Sequence, residues 1–162
     1  MASITCVSLP DGRKVSKSPS IVLDFIQKCE KSSFSRTAAF DFDSELKKRG
    51  TEVVAFVDDR VSKDDPPFVA YLVLAHVKAG KAVALHKICV EQQYRSQRRG
   101  SEIMQWAIKT LRDRGRLAIQ LWVEKRNSVA QALYESAGFQ MVSEVEDYYG
   151  LGRDGISMKL VL

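Results

Sequence analysis

Residues 85–101 have the sequence LHKICVEQQYRSQRRGS, in which an apolar segment is followed by a basic loop and a glycine. This pattern predicts a strand, a loop and the beginning of a helix at Gly100. The first backbone N–H groups of a helix have no intrahelical acceptor and lie at the positive end of its dipole. Glycine lets the backbone approach an anion closely, and Arg95, Arg98 and Arg99 add positive charge. The stretch therefore favours an anion site, with a solvated basic loop as the simpler alternative.

The segments on either side of this stretch show helix and strand patterns. Apolar residues recur at helical spacing over residues 100–114 and alternate along residues 117–123. Asn127 is a candidate N-cap, and Gly115 and Gly138 are candidate helix ends. A helix between two strands is typical of a crossover, so we expect its flanking strands to be parallel neighbours. The predicted elements in chain order are strand 3–9, helix 21–31 with Ser20 as its N-cap, helix 42–49, strands 53–57, 68–77 and 82–90, helix 100–114, strand 117–123, the helix that Asn127 caps, and strands 139–144 and 155–162.

The composition narrows the class of protein. The chain has 162 residues, 45% of them hydrophobic, which suits one packed domain without disulfides. Three cysteines without a CxxC motif and only two histidines argue against a disulfide framework and against a metal site. The apolar stretches are too short to span a membrane, and the N-terminus lacks a secretory pattern. We therefore expect a soluble, cytoplasmic protein without a metal. The sequence does not exclude a nuclear location.

The net charge of +5 favours a polyanionic partner only weakly. Basic residues are scattered apart from the arginine cluster, and Tyr94 alone offers an aromatic platform beside it. A small anionic ligand needs no more than such a cluster. Nucleic acid is therefore the less favoured partner.

Two motifs resemble those of the GNAT superfamily of N-acetyltransferases. The loop Arg95-Ser96-Gln97-Arg98-Arg99-Gly100 resembles the family's pyrophosphate loop, usually written Q/R-x-x-G-x-G/A. The segment NSVAQALYESAGF, from Asn127 to Phe139, is similar to the second signature, N-x-x-A-x-x-L-Y-x-x-x-G-F. Leu121-Trp122-Val123 stands where the family has L-x-V. The resemblance extends over residues 68–162, and over the N-terminal third in element order only.

The resemblance implies a mixed α/β (α+β) fold with a mostly antiparallel central sheet, splayed at one parallel pair and flanked by helices, in a single domain over residues 1–162. It also implies acetyl-CoA as the co-substrate, lying in the splay between the strand ending at Val90 and the strand ending at Val123. The expected cofactor-binding residues are Ile88, Cys89 and Val90 along the pantetheine arm, Arg95, Ser96, Gln97, Arg98, Arg99, Gly100 and Ser101 at the pyrophosphate, and Asn127 and Tyr134 beside the thioester.

Arg98 departs from the family pattern, which has a glycine at this position. Either its side chain turns outward while the main-chain N–H still donates, or its guanidinium reaches a phosphate. In both cases we expect the loop to keep its pyrophosphate site, with an altered affinity for the cofactor.

Tyr134 and His86 are the candidate catalytic residues. By spacing alone Tyr134 is a core aromatic, whereas the resemblance implies a general acid that returns a proton to the leaving thiolate, as a phenol with a pKa of about 10 can do. A lone strand histidine is commonly structural, but His86 lies on the same face as Val90. In arylalkylamine-type members a histidine at this place helps to deprotonate the amine, and an imidazole suits that role near neutral pH.

Three further residues have weaker claims to a chemical role. Trp122 stands where ribosomal-protein N-terminal acetyltransferases have a glutamate base, so we do not expect that version of the mechanism. Glu124, on the same face, is a weaker candidate for the base. Cys89 is interpreted as a small apolar strand residue rather than a nucleophile, because no His–Asp relay accompanies it.

Tyr148 and Tyr149 lie in the loop of residues 147–154, which joins the last two predicted strands. Similar loops of peptide N-terminal acetyltransferases wall the acceptor groove, and by that resemblance both tyrosines would bind substrate. The alternative is a long hairpin whose tyrosines pack on its own base.

The sequence thus predicts an acetyl-CoA-dependent N-acetyltransferase that moves the acetyl group directly to a primary amine. The acceptor is a small aryl- or alkylamine, a polyamine, or an amine of a peptide or protein. A non-catalytic acyl-CoA-binding regulatory module and a basic nucleic-acid-binding domain are the alternatives from other classes. Neither the acceptor nor the oligomeric state can be deduced from the sequence.

Overall fold

The structure is a computed structural model that describes residues 4–9, 19–33, 50–62, 67–76 and 81–162. The helix expected over residues 42–49 lies outside these ranges. Over the described residues the chain forms seven strands, three helices and a short 3-10 turn. Their bounds are β1 Ile4–Leu9, α1 Pro19–Ser33, β2 Thr51–Asp58, β3 Phe68–His76, β4 Ala82–Val90, the 3-10 turn Gln92–Tyr94, α2 Arg99–Asp113, β5 Ala118–Glu124, α3 Ser128–Ser136, β6 Gln140–Val145 and β7 Gly155–Val161.

The strands form one sheet in the order β1-β2-β3-β4-β5-β7-β6. β4 and β5, which flank helix α2, pair in parallel, as a crossover helix requires. β1 is antiparallel to β2, and β7 is antiparallel to both β5 and β6. The mixed α/β fold with a parallel pair around α2 is confirmed. The placement of β7 between β5 and β6 was not predicted.

The contacts within the chain define two compact units. The first comprises Met1–Leu74 and Lys87–Arg99, and the second comprises Ala75–His86 and Gly100–Leu162. The boundaries between the two units fall within strands β3 and β4. That residues 1–162 form a single domain stays a prediction.

The first unit has a core of α1 residues and of inward residues of β2, β3 and β4. Phe25 of α1 stacks on Phe68 of β3 at 5.1 Å between ring centroids. Helix α1 begins at Pro19, so the prediction that Ser20 is its N-cap is wrong. Proline suits a first helical turn because its missing N–H would have no intrahelical acceptor there. The buried core residues are Val22, Ile26, Cys29, Val53, Ala55, Val57, Phe68, Tyr71, Val73 and Cys89.

In the second unit, the helices begin and end where the sequence predicts. Asn127 caps α3, since its side-chain oxygen accepts a hydrogen bond from the Ala130 N–H at 3.1 Å. Gly115 and Gly138 follow α2 and α3 with φ of 70° and 93°, the left-handed conformation that ends helices. All three predictions are confirmed. Strand β5 buries Ile119, Leu121 and Val123 and leaves Gln120 and Trp122 exposed, as its alternation predicted. The alternation is wrong at its beginning, because Leu117 lies before the strand and is exposed, whereas Ala118 is buried.

The parallel pairing of β4 with β5 belongs wholly to the second unit. Its register joins Ala82–Leu85 to Ala118–Leu121, the first four residues of each strand. β4 then continues to Val90, and β5 continues to Glu124. The backbone of Ile88, Cys89 and Val90 therefore lies beyond the residues of β4 that pair with β5.

Candidate active site

The loop between β4 and α2 has an unusual backbone. Ser96 and Arg98 have φ of 60° and 62°, which is the left-handed region. For a residue other than glycine this conformation costs about 1–2 kcal/mol. Arg98 is the residue that replaces the motif glycine, so the loop keeps a conformation that favours glycine where the glycine itself is missing. The Arg98 side chain is exposed and hydrogen-bonds to no described residue.

The other two arginines of the loop are engaged with the protein. Arg95 donates from Nε to the Val90 carbonyl at 2.9 Å and from Nη2 to the Ser33 hydroxyl at 2.7 Å. The Arg99 side chain is buried, and its Nη2 lies 2.7 Å from a carboxylate oxygen of the fully buried Asp58. Both arginines therefore hold the loop in place, whereas Arg98 does not.

Gly100 lies in the first turn of α2, close to α3. A Cβ at this position would meet the Leu133 side chain at 3.4 Å, which is tight but not a clash. The next residue, Ser101, is exposed. The first N–H groups of α2 have no acceptor within the helix, so this turn keeps the anion-binding donors that the sequence predicts.

Tyr134 is the buried aromatic of helix α3. It is 7% exposed, and its ring centroid lies 5.8 Å from that of Phe139. Burial raises the pKa of Tyr134 to about 12, with a smaller contribution from Tyr149. The phenol is therefore protonated at neutral pH and can donate a proton. Asn127, whose side chain caps α3, fixes the beginning of the helix that carries Tyr134.

The loop between β6 and β7, which we call the tyrosine loop, spans residues 146–154. Tyr148 stacks on Trp122 of β5 with 4.0 Å between ring centroids and 11° between planes. Tyr149 meets Tyr148 edge-on at 4.9 Å. A Cβ on Gly155 would lie 2.8 Å from Tyr148, so the stack needs a glycine at this position.

Tyr148 thus packs on Trp122 of the neighbouring strand β5 and against Gly155 at the base of its own hairpin. The packing does not bury the aromatic pair, because Tyr148 is 45% exposed and Trp122 is 36% exposed. Burial raises the pKa of Tyr149 to about 12. Tyr149 in turn contributes to the raised pKa of Tyr134. The exposed Trp122–Tyr148 pair therefore adjoins Tyr149, which influences the candidate acid.

An ion pair that the sequence analysis missed joins β5 to the tyrosine loop. Arg153 donates from Nε and Nη2 to the two carboxylate oxygens of Glu124, at 3.0 and 2.8 Å. These hydrogen bonds lower the pKa of Glu124, which makes it a poorer proton acceptor. The register of β5 and β7 sets Glu124 opposite Gly155, two residues after Arg153. The pair could have been found from the sequence only if β7 had been known to lie beside β5.

His86 lies on the same face of the sheet as Trp122 and Glu124. In the parallel register Ala84 is opposite Gln120, so His86 and Trp122 are the next outward residues on the two strands. The His86 side chain is exposed. Ile88 and Val90 are half-buried in the first unit, and Cys89 is buried there. The roles assigned to these residues stay predictions.

Metal-binding clusters and membrane-spanning helices are both lacking among the described residues. Among the described residues, no group of three or more His, Cys, Asp or Glu side chains is arranged to hold a metal ion. None of the helices in the described ranges combines the length and the apolar composition needed to cross a membrane.

The fold and this site define a mixed α/β protein in which a crossover helix begins at a basic loop. A family model described as the acetyltransferase (GNAT) family matches residues 21–139. The chain belongs to this family and is an N-acetyltransferase. A search of curated protein sequences found no match.

Several solved structures share the fold. The ribosomal-protein-S18-alanine N-acetyltransferase from Escherichia coli is 21% identical, with a TM-score of 0.72 over 97% of this chain and 94% of that chain. The NatC complex bound to Gag peptide and CoA is 19% identical, with a TM-score of 0.69 over 98% of each chain. The spermidine/spermine N-acetyltransferase from Vibrio cholerae is 14% identical, with a TM-score of 0.73 over 98% of this chain and 92% of that chain.

Proposed function

We propose that the protein transfers the acetyl group of acetyl-CoA directly to a primary amine, acting in the cytoplasm as a single domain over residues 1–162. The acceptor is a small aryl- or alkylamine, a polyamine, or an amine of a peptide or protein. The observation that carries the proposal is the backbone of the loop before α2, in which Arg98 takes the left-handed conformation at the motif glycine position. Support comes also from the NatC structure, which was solved with CoA and a peptide.

The loop would bind the pyrophosphate mainly through its backbone. The N–H groups of Gly100 and Ser101, at the beginning of α2, would donate to phosphate oxygens, together with those of Ser96, Gln97, Arg98 and Arg99. Arg95 and Arg99 would act indirectly, since their side chains hold the loop through Val90, Ser33 and Asp58. The pantetheine arm would lie along Ile88, Cys89 and Val90.

Tyr134 would be the general acid. As the acetyl C–S bond breaks, its O–H would donate a proton to the departing thiolate sulfur. Its raised pKa of about 12 keeps the phenol protonated throughout the neutral range, as this role requires. Asn127 would position the acid through its cap on α3 and would flank the thioester.

His86 would assist the attacking amine by accepting its proton, directly or through a water molecule. The two alternatives on the same face are less suited, because Trp122 has no basic atom and Glu124 is held in a two-point ion pair by Arg153. His86 is exposed, which gives an amine access to it. Tyr148 and Tyr149 would contact the acceptor beyond the reacting nitrogen.

A panel of amines tests the proposal. The full chain is incubated with acetyl-CoA and, separately, with aryl- and alkylamines, polyamines, peptides with a free α-amine, and lysine peptides with a blocked α-amine. We expect CoA thiol release with a matching acetylated product for one of these classes. Binding of acetyl-CoA without any acetylated amine would favour the non-catalytic module instead, and no binding at all would overturn the proposal.

The role of His86 has a matched control, because the chain contains only one other histidine, His76. We expect His86→Gln to lower the acetylation rate and to change the shape of the pH–rate profile, because a glutamine side chain cannot accept the proton of the attacking amine. His76→Gln should keep the wild-type profile. Identical profiles for all three proteins would mean that the amine reaches the enzyme already neutral.

A further inference from the structure

The last turn of α1 contacts strand β4 and the loop after it through two polar side chains. Glu30 accepts a hydrogen bond from the Lys87 ammonium group of β4, with 2.6 Å between Oε2 and Nζ. Ser33, three residues later on the same side of the helix, accepts a hydrogen bond from Arg95 Nη2 at 2.7 Å. Arg95 in turn donates from Nε to the Val90 carbonyl at 2.9 Å. We call Glu30 and Ser33 the α1 clamp.

The contacts of the α1 clamp lie at the two ends of residues 88–90. Lys87 immediately precedes this segment, and Arg95 holds its last carbonyl group. The segment belongs to the first unit and lies beyond the residues of β4 that pair with β5. Pairing with β5 therefore does not fix its position. The α1 clamp supplies contacts to this part of β4 at the point where the parallel ladder has ended.

The ion pair of Glu30 and Lys87 is largely buried. Glu30 is 5% exposed, and the fully buried Tyr71 of β3 donates to its other carboxylate oxygen. Removal of two charges from water costs free energy that their attraction offsets only in part, so a well-packed apolar pair is often as stable or more stable. The charged pair adds a defined distance and direction between α1 and β4. These contacts favour a positioning role over a contribution to stability alone.

We propose that Glu30 and Ser33 are positioning residues for the acyl donor, because they hold the backbone of residues 88–90 in the conformation that receives the pantetheine arm. This depends on the proposed function, which assigns the arm to this segment. Glu30 acts through Lys87 at the beginning of the segment, and Ser33 acts through Arg95 at its end. Without the clamp, binding of the arm would also have to order the segment, and that cost weakens binding.

Amide hydrogen exchange of the free protein tests the clamp without any ligand. The double variant Glu30→Gln with Lys87→Met removes both charges, keeps side chains of similar length and leaves an acceptor for Tyr71. We therefore expect a melting temperature close to that of the wild type. Exchange at residues 88–90 should be faster than in the wild type, and exchange at residues 53–57 of β2 should be unchanged. Equal exchange of both proteins at residues 88–90 would overturn the proposal, and so would a uniform increase over both ranges.

Binding of two ligands tests the link to the donor. Acetyl-CoA carries the pantetheine arm, whereas 3′-phospho-ADP carries the pyrophosphate without the arm. We expect the double variant to bind acetyl-CoA several-fold more weakly than the wild type and to bind 3′-phospho-ADP equally well, as measured by calorimetry. Equal weakening for both ligands, or no weakening for either, would overturn the role of Glu30 in positioning the arm.

Two single variants complete the test. Lys28→Met removes an exposed lysine of the same helix and should match the wild type in exchange and in both affinities. Ser33→Ala removes only the acceptor for Arg95 Nη2, and it keeps the test valid if the double variant folds poorly. We expect it to speed exchange at residues 88–90 and to weaken acetyl-CoA binding, and wild-type values for both would overturn the role of Ser33. A wild-type chain that never binds acetyl-CoA would overturn the proposed function, whereas exchange at residues 88–90 would still decide whether the clamp exists.

Discussion

The loop before α2 and the tyrosine loop both contain a non-glycine residue with left-handed backbone, and they differ in what holds that residue. Asp147 of the tyrosine loop has φ of 54°, and its carboxylate accepts a hydrogen bond from the Gly152 N–H at 2.5 Å. Its own N–H donates to Asp154. Arg98 has φ of 62°, and its side chain bonds to no described residue. The Arg98 side chain therefore does not offset the strain of its own backbone, a pattern typical of functional sites.

The two loops also differ in the groups that they expose. The loop before α2 offers backbone N–H groups, which suit a phosphate. The tyrosine loop offers the exposed faces of Trp122 and Tyr148, which suit an organic acceptor. This difference supports the proposal that the first loop binds the cofactor and the second contacts the acceptor, with Tyr134 as the acid.

The largest expected effect comes from Tyr134→Phe, which keeps the ring and removes the proton donor. We expect kcat to fall by about 10²–10⁴-fold, the usual range for general acid–base assistance. The dissociation constant for acetyl-CoA, measured by calorimetry, should stay close to that of the wild type. Tyr149→Phe is the matched control, because it removes a phenol of similar pKa, and it should alter the KM of the acceptor more than kcat. A wild-type kcat for Tyr134→Phe would make Tyr134 a core residue only.

Gly155→Ala should disrupt the tyrosine loop. The added Cβ would lie 2.8 Å from Tyr148 and would push its ring away from Trp122. Forced packing of this kind costs about 1–3 kcal/mol of unfolding free energy. We expect a lower melting temperature, altered tryptophan fluorescence and a raised KM for the acceptor. Gly100→Ala, whose Cβ would meet Leu133 at 3.4 Å, should cost less, and an equal loss in both variants would contradict this account of the stack.

Glycine substitutions at Arg98 and Asp147 should have opposite effects on stability. Arg98→Gly relieves backbone strain and should raise the unfolding free energy by up to about 1 kcal/mol. Asp147→Gly loses the side-chain acceptor for Gly152 and should lower the unfolding free energy by about 1 kcal/mol. Acetyl-CoA should bind Arg98→Gly as tightly as the wild type or more tightly. Denaturant melts that shift in the same direction for both variants would contradict the comparison.

The smallest effect concerns the ion pair of Glu124 and Arg153 and appears in the pH dependence of stability. Hydrogen bonds from Arg153 hold the pKa of Glu124 below its ordinary value of 4.5, so the pair stabilises the folded chain above that pH. The contribution is lost as the pH falls through the lowered pKa. We expect Arg153→Gln to be slightly less stable than the wild type at neutral pH and equally stable in acid. A difference that stays constant across this range would contradict the ion-pair account.

Much of the fold could be predicted because its signals are local. The alternation along β5, the cap at Asn127 and the glycines after α2 and α3 each depend on a few neighbouring residues. The parallel pair also followed from local order, because a helix between two strands implies a crossover. Resemblance to a family added the expectation of an acetyltransferase, which the family model confirms.

The features that escaped the sequence analysis depend on contacts between distant segments. Alternation shows which face of a strand is buried but not which strand lies beside it, so the place of β7 next to β5 was missed. The pairs Glu124–Arg153 and Trp122–Tyr148 depend on the register between β5 and β7, so they were missed for the same reason. The arginines of the loop before α2 were treated alike, because nothing nearby in sequence indicates that Asp58 is the partner of Arg99.

Amide hydrogen exchange of the full chain, with and without saturating acetyl-CoA, tests the assignment of the two loops most directly. Backbone N–H groups that donate to a bound pyrophosphate exchange more slowly with solvent. The account predicts slower exchange over residues 96–101 when acetyl-CoA is present and unchanged exchange over residues 147–154. Unchanged exchange at residues 96–101 in a chain that binds acetyl-CoA, or protection confined to residues 147–154, would contradict it.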